Sequence, residues 1–322
     1  MNTMLMLVRR EYWEHRALWI APLVVAAAIL LVTAVGAYHR GSVDISIDLD
    51  NDTSQTQQLD AKERAELQAL GQLPMEKKQT LYLVTLLSLS GLQLLVLGIV
   101  VFFYLLDALY SERKDRSILF WKSLPVSDRA TVLSKALVAL VVTPLLVIAI
   151  SAVTQLAFSG IWAVKFGGSL LGNMMPAWDA GVWLRVQGLT LVAFVIGVLW
   201  YAPIAAYLLL MSAWARRNVF LWAVLPPVAL AAGERVLTGN DHIGQFLADR
   251  FLGVLGLFST DVQYRSGRGG DAGAAAVQPL DLALNAIDPG AFLQSPGLWL
   301  GLAAAAVLLF VAIRIRRYRD DT

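Results

Sequence analysis

The residues with the most chemistry to offer lie in one stretch, YSERKDRSILFWKSLPVSDRATVLSK, from Tyr110 to Lys135. It is dense in charge, yet Ile118, Leu119, Phe120 and Trp121 sit together in its middle. Asp115 or Ser117 can cap a helix start, Pro125 stops a helix just before itself, and Ser127-Asp128 can cap the third span. The spacing therefore predicts a short helix over 116–124. Ile118 and Trp121 are three apart, and Phe120 and Leu124 four apart, so one side is apolar and aromatic. Lys114, Arg116 and Lys122 give that side positive edges. The chemistry on offer is docking rather than catalysis. Such a helix either lies on lipid headgroups or plugs a groove in another protein, where a buried aromatic anchor is worth ~2 kcal/mol or more.

Catalytic groups are hard to assemble from the rest. The chain has no cysteine, which removes disulfides, thiolate chemistry and Cys-ligated metals. His15, His39 and His242 are scattered, with no pair at ligand spacing. There is no GxxxxGK[ST] phosphate loop, no HExxH and no nucleophile elbow. The acidic run from Asp48 to Asp52 invites a calcium-loop reading, but Thr53 stands where the loop needs Gly and Leu59 where it needs Glu. No metal site, no cofactor of the chain's own and no nucleic-acid partner are expected.

The elements that hold this stretch are apolar. Of 322 residues, 57% are hydrophobic and 16% charged, too greasy a balance for an ordinary soluble enzyme. Six runs, 17–37, 80–106, 133–157, 186–212, 219–237 and 297–313, approach or exceed the ~20 residues a helix needs to cross a bilayer. The expected fold is an all-α integral membrane protein with six transmembrane helices. The fifth run is the weakest, because Pro226 and Pro227 interrupt it and Glu234-Arg235 close it. Inside a bundle such a break is tolerable, since neighbours can satisfy the freed backbone groups. The first run is longer than a signal-peptide core and reads as an uncleaved helix. Before it, residues 1–16 read as an interfacial amphipathic helix. Leu5, Val8, Tyr12 and His15 form its apolar face, and Arg9, Arg10, Glu11 and Glu14 the polar one.

Basic residues crowd into the short segments on one side: Arg9, Arg10 and Arg16, then Arg113, Lys114, Arg116, Lys122, Arg129 and Lys135, then Arg216 and Arg217, then Arg314, Arg316, Arg317 and Arg319. The positive-inside rule makes that side cytoplasmic, with both termini on it. The loop 107–132 is then cytoplasmic, and segments 38–79 and 238–296 lie outside. In the first outer segment, residues 43–50 alternate apolar and polar with a strand's period, and 57–73 read as a short helix. In the second, 243–258 form an amphipathic helix, either interfacial or re-entrant, followed by a flexible glycine-rich run.

The runs hold few charges. Asp107, Arg185 and Glu234 sit at their ends, and the interior polar residues are of the Gln93, Ser151, Thr154, Gln155 and Gln187 kind. A carrier driven by an ion gradient hides a carboxylate or arginine at mid-membrane. Its lack here points to an outside energy source for any uphill transport. Gln93 is a candidate for a substrate pathway, with helix packing as the competing role.

At Tyr110, Glu112, Arg113, Ser123, Leu124, Pro125, Val126, Ser127 and Lys135 the chain resembles the first cytoplasmic loop of type-2 ABC-transporter permeases, the membrane subunits of bacterial ABC exporters. More weakly, the whole chain resembles them in its N-terminal elbow helix, six spans, cytoplasmic ends and polar excursion before the last span. The resemblance implies a coupling helix that docks in a cleft of a separate ATP-binding subunit. Glu112, Arg113, Arg116, Ile118, Phe120, Trp121, Lys122 and Leu124 would form it, with Phe120 and Trp121 as anchors. It implies a location in the bacterial inner membrane, ATP and magnesium held on the partner ATPase, and a second permease chain. A homodimer is favoured over a heterodimer. The alternative is a non-transporting assembly or sensor protein whose outer segments bind a partner. The long segment 38–79 departs from the compact members of the family, so no substrate class is carried over.

Overall fold

The computed structural model describes residues 3–41, 74–115, 117, 126–166, 180–256 and 289–318. Among these every regular element is helical. In chain order they are α1 (Thr3–Glu14), α2 (Ala17–Gly41), α3 (Met75–Asp107), the short α4 (Tyr110–Lys114), α5 (Asp128–Leu137), a π-helical turn (Val138–Val142), α6 (Thr143–Phe166), α7 (Ala180–Trp214), α8 (Val219–Thr238), α9 (His242–Gly256), the short α10 (Pro289–Gln294) and α11 (Pro296–Tyr318). Six of these units are long and apolar enough to cross a membrane: α2, α3, the continuous α5–α6 unit, α7, α8 and α11. They coincide with the six apolar runs of the sequence, as a multi-pass membrane protein requires. The expected strand at 43–50, the helix at 57–73 and most of the loop helix at 116–124 lie outside the described residues.

Helices α3 and α7 form the middle of the bundle. Helices α2 and α6 pack on α3, α11 lies along α7 over the most extensive interface, and α8 and α9 sit at the edge against α7. The largest core cluster gathers at one end, from Tyr104 to Leu109 of the α3 end, Val132 and Val138, Leu208, Leu209 and Ala312. Buried alanines, among them Ala108, Ala139, Ala206, Ala213 and Ala312, let the helix axes approach there. The opposite end has a smaller core of Leu83, Leu86, Val182 and Val186.

Two departures from regular helix have local causes. Pro144 has no N–H, and its ring crowds the carbonyl four residues back. Just before it the chain widens to the π turn, with the Thr143 N–H bonded to the Val138 carbonyl and Thr143 Oγ1 donating to the same oxygen at 2.9 Å. In α8 the expected interruption at Pro226 and Pro227 does not occur; the helix runs through both. Pro227 cannot bond the Ala223 carbonyl, and the Tyr207 hydroxyl from α7 donates to that oxygen instead, at 3.0 Å. The neighbour supplies what the proline withholds.

A mixed polar seam joins α3, α6 and α7. Gln155 Nε2 donates to Ser90 Oγ at 2.6 Å and to the Leu86 carbonyl at 3.1 Å. Gln187 Nε2 donates to Gln155 Oε1 at 2.7 Å. Ser90 and Ser151 share a hydroxyl bond of 3.1 Å, and Tyr82 and Ser159 one of 2.6 Å. These side chains fix the rotation of three apolar helices whose other contacts are interchangeable.

Helix α9 folds back against the side of α7. Trp200 Nε1 donates to the Arg250 carbonyl and Tyr201 Oη to the Phe251 carbonyl. The Arg250 guanidinium lies 4.3 Å from the Trp200 ring centroid. Trp200 is fourteen residues, about 21 Å of helix, from the α7 end at Trp214, so α9 docks well inside the length of α7 and not at its tip.

A candidate coupling site built on buried charge

The two ends of loop 107–132 and the N-terminal helix meet in a network of buried charge. Glu11 of α1, Glu112 of α4, Lys135 of α5 and Arg316 of α11 are each between 1% and 5% exposed. Lys135 Nζ donates to Glu11 Oε1 at 2.7 Å and stands 3.1 Å from Glu112 Oε1. Arg316 Nη1 bonds the other Glu112 oxygen, and Arg316 Nε reaches Asp128 Oδ1 at 3.1 Å. Tyr104 Oη donates to Glu11 Oε2 at 3.0 Å. Arg10 adds a longer contact to Glu112, 3.6 Å, while bonding Glu14 at 2.7 Å.

Burying a charge is costly unless it is paired and its remaining hydrogen-bonding capacity is met. Here signs alternate from Glu11 through Lys135, Glu112 and Arg316 to Asp128, so each group has an opposite neighbour. Local structure aims them. Ser127 caps α5, its hydroxyl accepting from the Ala130 N–H at 3.2 Å, and this sets Asp128 at the first turn and Lys135 two turns on. The break between α3 and α4 is held by Ser212 of α7, whose hydroxyl accepts from the Leu109 and Tyr110 N–H groups, both at 3.0 Å. That break turns Glu112 inward.

His15 stands at the rim, 3.6 Å from Glu11 and edge-on to Tyr104 at 4.8 Å. Burial lowers its pKa below the usual imidazole range and outweighs the opposing pull of Glu11.

The two described members of the sequence-derived coupling set are both engaged within the chain. Glu112 lies in the network. Arg113 donates from Nη2 to the Ser212 and Ala215 carbonyls at 2.6 and 2.8 Å, closing the carbonyl end of α7. Arg116, Ile118, Phe120, Trp121, Lys122 and Leu124 lie outside the described residues. Gln93 is fully enclosed between α3 and α6, with Nε2 donating to Thr154 Oγ1 at 3.2 Å.

Sequence reasoning set Glu11 on the polar face of the N-terminal helix and counted Lys135 and Arg316 among the basic residues of the cytoplasmic segments. The structure corrects this. Helix α1 buries Leu7 and Glu11, one turn apart, while Leu5 is 65% and Trp13 59% exposed. Glu11 turns inward because Lys135 and Tyr104 wait for it. A lone helix shows no such partners, though a lysine followed by the apolar run from Ala136 to Val142 was a visible signal.

No protein-family model, curated protein or solved structure matches the chain.

Proposed function

We propose that the chain is the transmembrane permease subunit of an ATP-driven ABC exporter. It forms the substrate pathway as a dimer with a second permease chain, with both termini cytoplasmic and α1 as the elbow helix, in the inner membrane of a bacterium. Its energy comes from a separate ATP-binding subunit that grips the loop after Glu112. The support from sequence is the loop motif from Tyr110 to Lys135.

One structural observation carries the reading. Arg316 bonds Glu112 at one end of the loop and Asp128 at the other. Both ends of the loop are thereby tied to the last span, and Lys135 extends the tie to α1 through Glu11. A push delivered to either end of the loop would pass through these pairs to α1, α5 and α11. A loop that only connected two spans would not need its ends fixed by buried ion pairs.

The test is ATP hydrolysis. The purified chain alone should hydrolyse none, and activity should appear when it is reconstituted with an ATPase subunit encoded beside it. That activity should change with the loop variants discussed below. Hydrolysis by the isolated chain, free of contaminants, sinks the proposal.

A further inference from the structure

The arginines near the end of α11 divide into two kinds. Arg316 points into the bundle and is paired with two carboxylates. Arg314, two residues earlier and so on the opposite side of the helix, is exposed and has no carboxylate partner among the described residues. One of its N–H groups donates to Tyr318 Oη at 2.9 Å, and its guanidinium sits 5.4 Å from the Phe310 ring centroid. Facing it across the bundle end is Arg216, exposed, in the turn after α7, without a hydrogen-bond or ion-pair partner among the described residues. Between them is an open cleft of about 500 Å³ lined by Trp214, Arg216, Arg314, Ile315 and Tyr318. Among the described residues of that lining there is no carboxylate.

We propose that this cleft binds the phosphate of an anionic phospholipid. Two cations that line one open space, with no acid beside them among the described residues, select an anion. Three features make the anion a lipid. The cleft lies where two membrane-crossing helices end, at Trp214 and Tyr318, the depth at which amphipathic aromatics meet headgroups. Val307, Phe310 and Arg314 fall on one face of α11, and Val307 and Phe310 are 61% and 55% exposed. An acyl chain leaving a phosphate at Arg314 therefore finds an apolar track. On the α7 side Trp214 is packed edge-on against the exposed Trp222 at 4.8 Å, giving a second one. Basic pockets between spans are established headgroup sites in membrane proteins generally. The inference needs the helices to cross a bilayer and does not depend on the exporter reading.

The experiment uses the full chain in nanodiscs of mixed phosphatidylglycerol and phosphatidylcholine, extracted into mild detergent and weighed intact by native mass spectrometry. Wild type should keep phosphatidylglycerol in preference to phosphatidylcholine. Arg216→Gln with Arg314→Gln should cut that retention roughly twenty-five-fold, two cations at about fivefold each. Arg9→Gln with Arg129→Gln removes equal charge elsewhere and should leave retention unchanged. Equal loss in both double variants means diffuse charge attraction and overturns the site. Displacement by millimolar glycerol 3-phosphate would make the ligand a soluble phosphate and overturn the lipid assignment. Retention that appears only after Asp320→Asn with Asp321→Asn would mean that the chain's own end fills the cleft, which also overturns it. Should the arginine variants not fold, wild type and Trp214→Phe answer instead. Brominated phosphatidylglycerol should then quench tryptophan emission more than brominated phosphatidylcholine, and equal Trp214→Phe-sensitive quenching by both refutes the proposal.

Discussion

Lys135 and Glu11, 124 residues apart in sequence, form a 2.7 Å ion pair in which each side chain is 1% exposed. The pair joins the first helix to the third span, and Glu112 completes it from the other side of the lysine. Lys135→Met would leave Glu11 facing a methyl group and deprive Glu112 of one of its cations. Loss of one partner from a buried pair costs about 3–5 kcal/mol, so a clear fall in the melting temperature is expected. Adding Glu11→Gln should recover part of the loss, because one uncompensated charge disappears. A Lys135→Met protein that melts like wild type would show that the network holds nothing together.

The bond from Tyr207 to the Ala223 carbonyl predicts a specific coupling. Tyr207→Phe should destabilise α8 by about 1 kcal/mol, the cost of an unmet buried acceptor. In a Pro227→Ala background the backbone N–H returns and can take that carbonyl itself. The cost of Tyr207→Phe should then shrink toward zero. Amide exchange across α8 in the four proteins of the cycle measures this, and an undiminished cost in the alanine background refutes the explanation.

His15 predicts a pH dependence. Its pKa is lowered from 6.5 in the folded chain, so the unfolded chain takes up the proton first. Stability is then complete above the unfolded value and declines as pH falls below it. Between about pH 7.5 and 5.5 the wild type should lose more thermal stability than His15→Phe, which keeps the edge contact with Tyr104 and cannot protonate. Parallel decline of the two proteins would place the titration elsewhere.

The coupling reading makes Phe120 and Trp121 anchors in the ATPase. Phe120→Ala with Trp121→Ala should leave the chain inserted and folded and should still reduce recovery of the ATPase by pull-down, at ~2 kcal/mol or more per anchor. Lys122→Glu should weaken recovery less, as a rim charge contributes about 0–1 kcal/mol. Undiminished pull-down with a lowered melting temperature would put the pair on lipid.

Orientation is open to reporter fusions. Those after Gly41, Gly172 and Gly270 should report outside, and those after Ser117, Arg217 and Arg319 inside. A cytoplasmic signal from Gly270 would reverse α8 or remove α11 from the membrane.

The spans were legible because hydropathy is a property of the run itself. Residues 80–106 needed no partner to read as a helix, and α3 covers them. The continuity of α8 was not legible, since it rests on a hydroxyl supplied by Tyr207, sixteen residues earlier on another helix. The charge network was hidden for the same reason. Glu11, Glu112, Lys135 and Arg316 each resemble ordinary charges at a membrane border, and only the meeting of four helices shows that they satisfy one another. Ser127 was read correctly as a cap because capping is local.

The wide turn at Val138–Val142 sets the phase between two anchored halves of the third span. Below it, Asp128 and Lys135 are committed to the ion pairs; above it, Ser151, Thr154 and Gln155 are committed to the seam with α3. One residue of helix is worth about 100° of rotation. Winding all the residues of the turn as ordinary α-helix would swing one half by that angle against the other, because the wide turn absorbs one residue more than an α-helical turn. Either the charges or the amides would then face lipid. The turn therefore works as a spacer that takes up one residue's rotation, so deleting one residue from it, which lets ordinary winding return with both halves in phase, should be tolerated where a one-residue insertion is not.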